Sequence, residues 1–300
     1  MRKTILVTGA FGFIGKYVIK KLLTQNYNII ILTHTKGNDM QENVRLIEAD
    51  ISDKNMVVDV LKKIKHCDIF IHLAANLKMN AGDQTISVNC NGTYHLIQLA
   101  TMLEAEKFIY ISSIPVIGSP RIIPITEQHP VVPESLYHIS KYMGEMMLNA
   151  LGGDSMKKVI LRIPSPIGVG MNPTNFLSVL FDKCLSNQDI ELFGQGLRIQ
   201  NYIDVRDVAE AINQVIEYPD SDLFLIAGSK SISNKDLAFL CKEMTNSSSK
   251  IIWGEKSDPD EKKKWIISTD KISQKLHFVP KYSLNDTLMW IYKKRMEVFK

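Results

Sequence analysis

The sharpest constraint on this chain is three glycines, Gly9, Gly12 and Gly15, set between an apolar run and an amphipathic one. Thr4-Ile5-Leu6-Val7 reads as a buried strand. Ile14 to Leu23 has helical spacing, with Ile14, Val18, Leu22 and Leu23 on one face. Thr8-Gly9-Ala10-Phe11-Gly12-Phe13-Ile14-Gly15 is then a strand–turn–helix joint. Gly9 permits a tight turn, Gly12 lets backbone approach a ligand, and Gly15 lets the helix pack closely on the strand. The helix N-terminus adds free N–H groups and a partial positive charge, which suits a pyrophosphate. The joint predicts dinucleotide binding.

The pattern continues along the first half. Asn28–Leu32, Val44–Ile47, Asp68–His72 and Lys107–Ile111 read as strands, with helices over Asp53–Ile64 and Asn89–Leu103. Continuous apolar strands between amphipathic helices predict a parallel sheet covered on both faces. Right-handed crossovers make this an α/β, doubly wound fold. Pro115, Pro120, Pro124, Pro130 and Pro133 punctuate a loop before a helix near Glu134, and Val159–Arg162 is a further strand. The expected organisation is a Rossmann domain of 1–165 and about 200–228, with a smaller mixed substrate-binding part of about 166–199 and 229–300. The mixed-sign stretch Lys256–Lys264 reads as a solvated loop.

Composition removes other classes. A net charge of +4 over 300 residues leaves no footprint for nucleic acid or an anionic membrane. No run is long and apolar enough to span a bilayer, and the apolar N-terminal stretch reads as a strand rather than a signal peptide. Cys67, Cys90, Cys184 and Cys241 are scattered. They predict reduced thiols in a cytoplasmic protein and no metal site.

The second strand ends Leu32-Thr33-His34-Thr35-Lys36, without the carboxylate that would bind a ribose 2′-hydroxyl. Thr33, His34 and Lys36 are the candidate contacts there, and His34 and Lys36 could meet a 2′-phosphate. NAD and NADP both remain open.

Tyr137-His138-Ile139-Ser140-Lys141 places Tyr137 and Lys141 one turn apart at the start of a predicted helix. A tyrosine acting as a base near neutral pH needs its pKa lowered by about three units, about 4 kcal/mol. One cation about 4 Å away is worth about that much at an effective dielectric of 20. The pair fits general acid–base chemistry beside a dinucleotide.

With these motifs in order, the chain resembles the extended short-chain dehydrogenases/reductases of the NAD-dependent epimerase/dehydratase family, which act on nucleotide sugars. The resemblance runs through TGAFGFIG, Asp50-Ile51, His72-Leu73-Ala74-Ala75, Asn89-Cys90-Asn91-Gly92-Thr93 and Phe108–Ser113. It continues through Asn201–Ala209 and Leu276–Pro280. It implies cofactor contacts at Gly9, Phe11, Gly12, Phe13, Ile14, Gly15, Asp50, Ile51, Leu73, Ala74, Ala75, Asn89, Ile111, Tyr137, Lys141 and Ile163. It implies Tyr137 as the proton acceptor from a sugar hydroxyl, Lys141 as its cationic neighbour and ribose anchor, and Ser113 as hydrogen-bond partner of the reacting oxygen. Substrate contacts are implied at Lys78, Ser113, Ser165, Asn175 and Gln200. A homodimer through the helices at Asn89–Leu103 and Glu134–Ala150 is also implied.

The chain departs from the family pattern in places. Ile114-Pro115 replaces the acidic pair that 4,6-dehydratases carry, which disfavours dehydration. Ile117 replaces a tyrosine and is expected to shape the pocket. Ser165 replaces a substrate asparagine, and Gln200 an arginine that grips the diphosphate. Arg198, Lys78 and Lys230 are candidates to restore positive charge. The leading reading is an NAD(P)-dependent nucleotide-sugar epimerase similar to UDP-glucose 4-epimerases. The alternatives are an NADPH-dependent reductase of a nucleotide-linked 4-keto-sugar, a non-catalytic dinucleotide sensor, and an enzyme for a smaller substrate without a nucleotide.

Overall fold

A computed structural model describes residues 2–34, 43–78 and 82–298. The N-terminal half runs β1 (Thr4–Thr8), α1 (Phe13–Leu22), β2 (Asn28–Thr33), β3 (Val44–Glu48), α2 (Met56–Lys63) and β4 (Ile69–His72). There follow a single turn α3 (Asp83–Thr85), a π-helical segment (Ile86–Asn91), α4 (Gly92–Met102), β5 (Lys107–Ser113), α5 (Leu136–Leu151) and β6 (Lys157–Ile163). Beyond them lie β7 (Ser165–Ile167), α6 (Phe176–Leu185), β8 (Ile190–Leu192), β9 (Ile199–Asp204), α7 (Val205–Ile216) and β10 (Asp222–Leu225). The last elements are β11 (Ser231–Ser233), α8 (Asn234–Met244), β12 (Ile251–Trp253), α9 (Asp270–Leu276) and α10 (Leu284–Val298).

Seven strands form one sheet in the order β10-β6-β5-β4-β1-β2-β3, and every pairing in it is parallel. Its side chains alternate between two apolar layers, as the period of two requires. Ile5, Val7, Ile29, Ile31, Ile69 and Ile71 pack with α1 and α7. Leu6, Ile30, Leu32, Phe70, Phe108 and Tyr110 pack with α2, α4 and α5. Burial on both faces explains why the strands read as unbroken apolar runs. Sheets β11-β9-β7 and β12-β8 lie outside, and a separate core joins α6, β8, α8 and α10.

Three elements differ from the sequence expectation. α2 begins at Met56, because the Asp53 carboxylate takes the Asn55 N–H at 2.9 Å in a preceding turn. The helix expected from Asn89 begins earlier and passes through the π segment, which buries the consecutive Asn89 and Cys90. A π segment widens the turn so that both can face inward. The Lys256–Lys264 stretch is tied down rather than only solvated: Lys263 pairs with Glu134 at 2.7 Å, and Asp258 with Arg198. The C-terminal helix packs through Trp290, which lies against Tyr17 and over the Arg206 guanidinium. No helix among the described residues is long and apolar enough to cross a membrane.

Candidate active site

In a parallel sheet all C-terminal strand ends lie on one edge, and a crevice opens where the strand order reverses. Here that reversal is between β1 and β4. The edge gathers the Gly9 turn, Thr33 and His34 at the end of β2, Asp50-Ile51 after β3 and Leu73–Ala75 after β4. Ser113 ends β5 directly opposite Ile163 on β6, and Ile111 lies two residues back. Lys36 lies outside the described residues.

The turn after β1 fits a dinucleotide's pyrophosphate. Gly9 has φ +71°, and a Cβ there would fall 2.6 Å from the Ala74 nitrogen. A Cβ at Gly15 would fall 2.1 Å from the Gly9 carbonyl oxygen. Gly12 is the N-cap of α1, with no side-chain cap and no acidic residue in the first turn. The first N–H groups of the helix have no intrahelical acceptor, and Phe11 and Gly12 before them are exposed. Asp50 closes its own turn, accepting from Ser52 N and Oγ at 2.9 and 2.8 Å. Ile51 is buried, and its carbonyl meets His95 Nδ1 at 2.8 Å.

The candidate catalytic pair sits on α5, which is seated against β5. A Cβ at Gly144 would lie 2.2 Å from the Tyr110 hydroxyl oxygen, so only glycine admits this approach. Tyr110 donates to the Lys141 carbonyl at 3.3 Å, and Lys141 Nζ lies 4.2 Å from the Tyr110 ring centroid. Glu145, one turn further on, is buried with Arg162 in a two-pronged pair at 2.9 and 2.7 Å and also takes the Ser112 hydroxyl. Continuing the stripe Tyr137–Lys141 by four residues would have found Glu145, but not its partner on β6.

The electrostatics differ from the simple picture of a lysine lowering a tyrosine. Burial pushes the Tyr137 phenol up to about 12. Burial also pulls Lys141 down to about 7, against the opposing pull of Glu145 and Cys90. Desolvation outweighs the pairwise attraction, because it penalises both charged forms at once. In the isolated site burial thus favours the neutral form of both groups.

Asn89 is buried, and its side chain serves the protein: it accepts from Asn76 N at 2.7 Å and donates to the Asn76 carbonyl and Ser140 Oγ. Asn76 and Ser140 were not legible as site residues.

On the substrate side the residues are spread out. Ser165 is exposed on β7, Asn175 is the exposed N-cap of α6, and Gln200 is half-buried on β9. Lys78 is exposed, and its backbone N–H bonds Asn76 Oδ1 at 3.0 Å. Two expectations are corrected. Ile117 is 1% exposed, packed with Ile114, Val116 and Ile125, because the residue before Gly118 turns inward; it does not line a pocket. Arg198 does not stand free to supply charge, because Asp258 and Asp260 flank its guanidinium. Among the described residues no cluster could hold a metal ion.

The family described as "NAD dependent epimerase/dehydratase family" matches residues 5–227. A protein provisionally named UDP-glucose 4-epimerase, from Methanocaldococcus jannaschii, is 31% identical over 245 residues, 77% of this chain and 79% of that protein. UDP-glucose 4-epimerase from Thermotoga maritima, solved with UDP-glucose, superposes with a TM-score of 0.89 at 24% identity, covering 99% of this chain and 100% of that one. UDP-glucuronic acid 4-epimerase from Bacillus cereus, solved with UDP-glucuronic acid and NAD, gives a TM-score of 0.85 at 23% identity, covering 98% and 99%.

Proposed function

This chain belongs to the NAD-dependent epimerase/dehydratase family, and from that premise we propose that it is a nucleotide-sugar 4-epimerase that retains NAD, with UDP-glucose and UDP-galactose as the pair to test first. One observation carries the reading: Ser113 at the end of β5 and Tyr137 and Lys141 on α5 flank the same sheet edge as the Gly9–Gly15 cradle. Proton-transfer groups and a pyrophosphate site on one edge suit oxidation and reduction of an alcohol. The Bacillus cereus relative's complex with NAD and UDP-glucuronic acid supports the choice of cofactor and substrate class.

The cradle and α1 would hold the pyrophosphate, Thr33 and His34 would face the adenosine ribose, and Lys141 would face the nicotinamide ribose. When bound, the oxidised nicotinamide supplies the hydride acceptor and one positive charge. Tyr137 Oη takes the proton of the sugar 4-hydroxyl and returns it to the same oxygen on the reverse step. Ser113 Oγ hydrogen-bonds that oxygen. A charged Lys141 stabilises the phenolate electrostatically. Ile114 and Pro115 offer no carboxylic acid for expelling water, so the reaction ends at epimerisation.

The test is to denature the purified protein, identify the released dinucleotide, and follow UDP-glucose and UDP-galactose interconversion. Retained NAD and turnover that falls about 10²–10⁴-fold in Tyr137→Phe are the expected results. The second reading, a keto-sugar reductase, draws on the exposed His34 at the end of β2. An empty protein that prefers NADPH would establish it instead.

The proposed domain division follows the expected one, with 1–165 and about 200–228 as the cofactor half. A homodimer is part of the same reading. Ile139, Met143 and Met146 are exposed along α5, and Tyr94 and Met102 along α4. Such an apolar stripe is expected to be covered. Light scattering should give about twice 34.0 kDa, and a monomer at micromolar concentration would overturn it.

A further inference from the structure

Between the cofactor cradle and the catalytic helix runs a set of polar side chains with almost no access to water. Thr8, His72, Thr93, Asn89 and Ser140 are each 1% exposed. Buried polar groups of this kind must be paired, and their pairing here admits one consistent direction. Thr93 Oγ1 donates to the Asn89 carbonyl at 2.6 Å. Its contact with His72 Nε2 at 2.9 Å then has the ring as donor. His72 Nδ1 is therefore the acceptor, and takes the Thr8 hydroxyl at 2.7 Å. Thr8 Oγ1 in turn accepts from Ala74 N at 3.3 Å, beside the Gly9 turn. At the other end Asn89 Nδ2 donates to Ser140 Oγ at 2.9 Å, and Ser140 Oγ donates to the Tyr137 carbonyl at 2.7 Å.

We propose that His72 is a positioning residue for the reaction: singly protonated at Nε2, it is the central link of a chain from Thr8 through Thr93 and Asn89 to Ser140 and the backbone of Tyr137. The chain sets the register of α5 against the cradle. The two regions it joins are the end of the strand β1 and the start of the helix α5, and its links are supplied by β4, the π segment and α4. The ionisable groups facing His72 are Tyr110 on β5, with ring centroids 5.6 Å apart, and Lys141 on α5. A proton on Nδ1 would displace the Thr8 donor and place a second cation by Lys141. Burial and Lys141 both hold the ring's pKa well below its usual value, which keeps the link intact.

The inference rests on the epimerase reading for its kinetic arm only. His72→Phe removes both links, His72→Gln keeps a donor for Thr93, and Thr93→Val breaks the chain without changing volume. We expect His72→Phe and Thr93→Val to lower kcat about 10–100-fold, with KM for the UDP-sugar within about threefold, as misplacement of a reacting group does. The acidic limb of the kcat–pH profile should move to higher pH, because a shifted α5 carries Tyr137 and Lys141 together away from the positive charge that a bound oxidised nicotinamide supplies. His72→Gln should recover most of the loss. Calorimetric affinity for NAD, which needs no turnover, should fall about tenfold in His72→Phe and Thr93→Val and recover in His72→Gln. Wild-type behaviour in all variants overturns the proposal. So does a loss of amplitude with an unmoved pH limb and unchanged NAD affinity, or an absence of rescue by glutamine. If His72→Phe does not fold, Thr93→Val decides. If wild type turns over no UDP-sugar, the functional reading fails and the NAD affinities still decide this one.

Discussion

The two walls of the candidate site are built by different physics. The cofactor wall is made of backbone and neutral groups: the Gly9 turn, the uncapped N-terminus of α1, and the chain around His72. The wall we propose for the substrate draws instead on the C-terminal part, where charges pair with each other. Arg198 lies against Asp258 and Asp260, and Lys263 bridges Asp260 and Glu134 at 3.0 and 2.7 Å. Neutral hydrogen bonds in a dry interior fix geometry and are insensitive to salt. Paired charges near the surface are screened and can exchange a partner for a ligand. On the proposed function, one wall suits a molecule that stays and the other a molecule that comes and goes.

Lys141 shows what the dryness of the first wall costs, and pH exposes it. Its folded pKa is about 7, against an unfolded value of about 10.4. Between those values the unfolded chain binds more protons, so stability rises with pH through that window. Below about 7 both states are protonated, and the burial cost is fully present. From pH 7 to pH 9 the gain is about 2 kcal/mol. Buried Lys107, lowered to about 8, has the same sign, so the whole protein's slope is not diagnostic. The difference between wild type and Lys141→Met is. Urea unfolding at the two pH values should show the wild type gaining about 2 kcal/mol over Lys141→Met. Parallel pH dependence would mean that Lys141 remains fully charged when folded, and that the cofactor wall is wetter than its geometry shows.

The same contrast decides what the sequence could reveal. Gly9, Gly12 and Gly15, and Tyr137 with Lys141, act within one turn of chain, so their spacing reports their geometry. The sheet was legible because its central strands β1, β4 and β5 are buried on both faces. The substrate wall was not, because its partners are far apart in sequence: 60 residues for Arg198 and Asp258, and 129 for Lys263 and Glu134. Arg198 looked like spare charge until Asp258 stood beside it. His72 was legible only as part of the stretch His72-Leu73-Ala74-Ala75, because its hydrogen bonds to Thr8 and Thr93 depend on elements that only the fold brings together. The upward push of burial on Tyr137 was not legible for the same reason, since a spacing gives the distance to a cation and not the water removed from both.

The smaller expected effect tests the second wall. Asp258 is 8% exposed in its side chain and Arg198 24%, so the pair is partly shielded, and Arg198 Nε is buried without a partner. Asp258→Asn removes one negative charge and leaves Asp260 3.2 Å from the guanidinium. If the substrate's phosphates compete with these carboxylates for Arg198, the variant should lower KM for the UDP-sugar about 3–10-fold at low salt, with kcat nearly unchanged. The gain should shrink toward nothing near 1 M salt, where screening reaches about 3 Å. If Arg198 serves only to hold the segment around Asp258, the variant should instead raise KM, and salt should not restore it. That outcome would break the comparison, because both walls would then be fixed scaffolds and the diphosphate would have to be gripped by neutral groups such as Gln200 and Asn175.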